Sequence, residues 1–175
     1  TSPRFFKEGG GCSGCHHQPM EARAFAAASA ARINADESIR QTFRDSVLAE
    51  RPLYLMSLPF LQALPGDIDR VLLALMALAD LSEPASDFTD AAVHYLAARQ
   101  DTSGAWISLE IARPPISDST ISRTAMAIRA LRVYGWPARE AEFDKRVQRA
   151  SVWLQNAKSI TNYEEADRIM GLRAA

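Results

Sequence analysis

The sequence predicts an all-α chain assembled from paired helices. Apolar residues recur at helical spacing, convincing alternating strand patterns are missing, and two helix pairs repeat along the chain. A chain of 175 residues, 47% hydrophobic and 23% charged, can build the core of a single domain over 1–175. That balance excludes a disordered tail and a collagen-like fibre. Twenty basic against twenty-one acidic residues leave a formal charge of −1, so no long-range field favours nucleic acid or an anionic membrane. The longest apolar run, Val71 to Ala79, is far short of a bilayer span. The chain opens at Thr1 without an initiator Met, which reads as a processed or trimmed product with any targeting signal lost from view.

Each element carries its own signal. Pro19 to Ile33 reads as a helix with Pro in its first turn, where the missing N–H costs nothing. Asp36 caps a second helix to about Glu50, closed by Pro52. A loop-like stretch holding Pro59, Pro65 and Gly66 follows. Asp67 opens and caps the most apolar helix, which runs to Leu81 before Pro84. Ser86 or Asp87 caps the next, to about Arg99. After a loop, a helix from Asp118 to Tyr134 stops at Gly135 and Pro137. A longer helix covers about Arg139 to Lys158. Thr161 and Glu164 then form a capping box for a short last helix to about Met170.

The helices repeat in pairs. Placing Asp67–Arg99 over Asp118–Lys158 aligns Arg70 with Arg123, Ala74 with Ala127, Leu78 with Leu131 and Pro84 with Pro137. In the second members, Ala92 meets Ala150, Tyr95 meets Trp153 and Leu96 meets Leu154. A period of roughly fifty-five residues made of two helices marks a helical-hairpin array.

Gln100-Asp101-Thr102-Ser103-Gly104-Ala105-Trp106 has the form QxxxGxW behind the helix AAVHYLAAR. It resembles the QW repeat of squalene–hopene cyclases and their relatives, the protein prenyltransferases. The resemblance covers about Asp67 to Leu172 and implies a partial α/α-toroid of about three hairpins. Inner helices would lie near 19–33, 67–81 and 118–134, with outer partners near 36–50, 87–99 and 140–158. In that family the Gln caps a neighbouring helix end and the Trp stacks beneath it, roles that fall on Gln100 and Trp106. Trp153, with Gln155, stands as a degenerate next copy lacking its Gly-x-Trp. Full rings of the family use five or more hairpins. This chain would stop before another inner helix, leaving a homodimer partner or a missing chain segment to complete the ring.

The same resemblance argues against cyclase chemistry. The family's acid is the middle Asp of DxDDTA; here Thr120-Ile121-Ser122-Arg123-Thr124-Ala125 stands in its place. A hydroxyl is no strong acid, and Arg123 would oppose a carbocation. Asp67 and Asp69 offer two carboxylates, but their DIDR stretch also ends in Arg and lacks Thr-Ala. Arg23, Arg70 and Arg123 read as solvated helix charges, though Arg70 and Arg123 would hold an anion if the inner helices line a cavity. No Ser-His-Asp set, phosphate loop or zinc-hydrolase motif is visible.

The segment 1–18 is rich in Gly, Cys and His. Cys12-Ser13-Gly14-Cys15-His16 is CxxCH, the attachment signature of c-type haem: two thiols reach the vinyl groups and His16 offers a nitrogen to the iron. Met20, Met56, Met76, Met126, Met170, His17 and His94 are the candidate sixth ligands, with Met56 and His94 preferred. His94 reads more simply as a packed histidine, and Met76 and Met126 as core filler. Three other readings stay open: a Cys12–Cys15 disulfide, zinc held by Cys12, Cys15, His16 and His17, or an idle thiol pair. Gly11 to Gln18 also resembles the GCxSCHxQ stretch preceding the first helix in acidobacterial-type squalene-cyclase-like proteins. Two functions follow. The first is a non-catalytic toroid module that binds an apolar molecule or a protein partner. The second is a haem c redox protein, periplasmic or secreted, of the bacterial envelope.

Overall fold

The computed structural model describes residues 17–34, 36–108 and 119–175. Every regular element among them is helical. In chain order they are α1 (His17–Ala30), α2 (Glu37–Leu48), α3 (Arg51–Ser57), α4 (Asp67–Asp80), α5 (Asp87–Ala98), α6 (Thr120–Tyr134), α7 (Glu140–Asn156) and α8 (Asn162–Ala174). Short 3-10 turns at Leu58–Phe60 and Pro137–Arg139 extend α3 and introduce α7. Cys12, Cys15, His16 and the expected helix start at Asp118 lie outside the described residues.

Local chemistry accounts for most of the boundaries. The Asp36 carboxylate accepts the Ser38 N–H at 2.9 Å and starts α2. Ser86 starts α5, and Thr89 Oγ1 accepts the Ser86 N–H at 2.8 Å. Ser119 caps α6 by accepting the Ser122 N–H at 3.2 Å.

Three boundaries need correction. Pro52 does not close a helix but opens α3 from its first turn, where its missing N–H has no intrahelical partner to lose. The stretch read as loop therefore contains a helix and a 3-10 turn. Asp67 is not the cap of α4, because left-handed Gly66 (φ 89°) holds that place. The Asp67 carboxylate instead accepts the Tyr95 hydroxyl at 2.5 Å and Arg99 at 2.7 Å. The last helix runs past Met170 to Ala174.

Polar contacts along the helices give their directions. Arg123 in the first turn of α6 meets Asp69 in the first turn of α4, and Arg129 further along α6 meets Asp80 at the end of α4. The two helices therefore run parallel. α8 runs the same way: Ser119 at the start of α6 hydrogen-bonds Glu164 at the start of α8, and Arg132 near the end of α6 reaches the Ala175 carbonyl at 3.1 Å. α5 is antiparallel to α4, since its last turn bonds Asp67, and α7 is antiparallel to α6, since Arg132 meets Asp144. α1 packs on α4, α4 on α6 and α6 on α8. The result is a row of helices, α1, α4, α6 and α8, in which α4 and α6 carry antiparallel partners.

The sequence reading ended the row at α6. α8 extends it, packing on both α6 and α7. Gly171 makes this approach, for a Cβ there would lie 2.7 Å from Leu154 Cδ1 and 2.8 Å from Ala125 Cβ.

Of the residues aligned in the repeat, Ala77, Ala127, Ala130, Leu78, Leu131, Ala92, Ala150, Leu96 and Leu154 are all buried in one core. The Tyr95/Trp153 pair is less equal: Tyr95 is fully buried and Trp153 half-buried.

The start of α8 also makes a pH prediction. Glu164 accepts the backbone N–H groups of Ile160 at 2.6 Å and Thr161 at 3.2 Å, and the first of these chiefly holds its carboxyl below the usual glutamate range. A folded-state pKa below the unfolded value of about 4.3 gives stability that is present above that value and lost as pH falls through the folded one. Glu164→Gln is expected to flatten the acid limb of the stability curve below about pH 5. Thermal melts from pH 7 to 3 check this; an unchanged acid slope in the variant would count against it.

Candidate functional site

Two constellations bring the sequence-predicted residues together. The first is the turn after α5. α5 ends with unsatisfied carbonyls, as every helix does. Trp106, fully buried, donates its indole N–H to the Leu96 carbonyl at 2.8 Å, and Arg146 of α7 donates to Ala97 at 2.6 Å. The Trp106 backbone N–H reaches Thr124 Oγ1 of α6 at 3.2 Å. One residue thus ties α5 to α6.

Gln100 acts differently from the role the resemblance implies for it. Its amide nitrogen donates to the Gly104 carbonyl and to the Arg146 carbonyl inside α7, both at 2.9 Å, while Arg149 donates to its oxygen at 2.6 Å. It closes the turn and holds α7, and the helix end is satisfied by Trp106 and Arg146. Gly104 is required where it stands. Its φ is +100°, and a Cβ would lie 2.6 Å from the Arg149 carbonyl oxygen. Trp153 packs half-buried against the core, and Gln155 is exposed.

The second constellation lies between the parallel helices α4 and α6. Arg123 Nε donates to Asp69 Oδ1 at 2.6 Å and Arg123 Nη2 to Oδ2 at 3.0 Å. The side chains are 5% and 1% exposed, so this is a bidentate ion pair in the protein interior. Ser122 and Thr124 beside it are buried as well. Arg70 sits at the equivalent place in α4, the fourth helical residue in each case. It makes the equivalent choice, pairing through two nitrogens with Glu50 at 3.0 and 2.9 Å. Arg123 reaches the preceding helix of the row, whereas the partner of Arg70 lies in the turn just before α3.

The expectation that Arg70 and Arg123 are solvated charges is therefore corrected. An arginine at the crowded junction of two helices needs a carboxylate, because an unpaired charge there is prohibitively costly. Arg23, on α1, is about half exposed and lies 3.6 Å from Asp80. Sequence reading missed Asp69 and Glu50 as partners. The available signal was the arginine repeat itself: two arginines at one repeated helical position call for two acids elsewhere in the chain.

The remaining candidates do not converge. His94 is half-buried on α5 and its ring lies parallel to that of Trp136, with centroids 6.1 Å apart. Met56 is 72% exposed and Met20 46% exposed. Met76 is buried, with Arg129 3.6 Å from its sulfur, and Met126 packs half-buried. His17 begins α1. Among the described residues no three His, Cys, Asp or Glu side chains gather as a metal group. No described helix is long and apolar enough to cross a membrane. Comparison with protein-family models, with curated proteins and with solved structures finds no match.

Of the two, the Asp69–Arg123 pair bears on chemistry. Both carboxylate oxygens accept from one guanidinium, and the Asp69 side chain is closed off from solvent. The turn at Gln100 to Trp106 is built from structural ties.

Proposed function

We propose that this chain is a non-catalytic module of the squalene-cyclase and prenyltransferase-like toroid type, whose surface binds an apolar molecule or a protein partner. The observation that carries the reading is the Asp69–Arg123 pair. TISRTA stands where the resembled enzymes have their acid, and its arginine is neutralised internally by the carboxylate of the neighbouring helix. A protonating acid has to face its substrate and shed its proton there. Support for binding comes from the end of the row. α8 leaves Tyr163, Ile169 and Met170 exposed at 61%, 56% and 46%, while its Gly171 is buried. A second copy of the chain or a further hairpin would cover that face.

Two measurements test the proposal together. Incubation with squalene or a prenyl diphosphate is expected to yield no cyclised or transferred product. Light scattering across a concentration series is expected to show self-association that weakens in Ile169→Glu. Heat-sensitive cyclisation by the purified chain would overturn the non-catalytic reading, and a strict monomer at high concentration would remove the dimer.

The CxxCH motif supports a second reading, a c-type haem protein of the bacterial envelope, with Cys12 and Cys15 as attachment points and His16 as axial ligand. Protein produced with haem-maturation machinery would then show a reduced α-band that is lost in Cys12→Ser/Cys15→Ser. A colourless product from the same host would eliminate it.

A further inference from the structure

We draw no further inference here: the strongest candidate, the exposed apolar corner formed by Leu53, Met56, Phe60 and Leu61 at the end of α3, carries nothing because nothing in the structure shows what covers it.

Discussion

Replacing Asp69 with Ala is expected to cost about 3–5 kcal/mol of folding stability. The cost does not measure the worth of the ion pair. It is the cost of leaving the Arg123 guanidinium, 5% exposed, without its carboxylate between α4 and α6. Asp69→Asn retains the shape and one acceptor, so it should lose less. The double variant Asp69→Leu/Arg123→Met removes both charges and should recover most of the loss, because buried pairs exchanged for apolar residues of similar volume are often neutral. Urea unfolding of the wild type, Asp69→Leu, Arg123→Met and the double closes this cycle. A single-variant cost under about 1 kcal/mol, the range of an exposed pair, would show that the site is wet.

Trp106→Ala should cost a similar amount, about 3–5 kcal/mol, from lost burial and the remaining cavity. The indole is fully buried, and its removal also takes one of two donors from the Leu96 carbonyl at the end of α5, which keeps the Arg99 N–H at 3.1 Å. Trp106→Phe separates the two contributions. It keeps most of the apolar volume and loses the indole hydrogen bond while Arg99 still serves the Leu96 carbonyl, so about 0.5–1.5 kcal/mol is expected for the lost bond, with the smaller ring adding to it. Hydrogen exchange localises the effect. Faster exchange in the last turn of α5 and the first turns of α6 fits a tie between those helices; a uniform increase over the whole chain would mean only global destabilisation.

The all-helical class and the caps at Asp36, Ser86 and Thr161 were legible because they depend on nearby residues: a short polar side chain and the N–H groups two or three positions on. The core alanines and leucines of α4 to α7 were legible too, since apolar residues at helical spacing face inward wherever helices pack. Gly104 could be singled out from QxxxGxW, although the Arg149 carbonyl that excludes a side chain there belongs to α7.

Tertiary structure decided the rest. Pro52 is compatible with ending one helix or beginning another, and only the packing of α3 on α5 selects the second. Asp67 is an ordinary cap by position, yet Tyr95 and Arg99 draw its carboxylate across to the end of α5. Whether an arginine at a repeated helical position is solvated or buried cannot be read from the helix bearing it. The answer depends on a carboxylate 54 positions away for Arg123 and 20 away for Arg70. Local sequence determines backbone preference and which face is apolar, because those free energies arise within a turn or two. The pairing of charges depends on which helices become neighbours, and burial of the apolar faces drives that association without regard to where the charges lie along the chain.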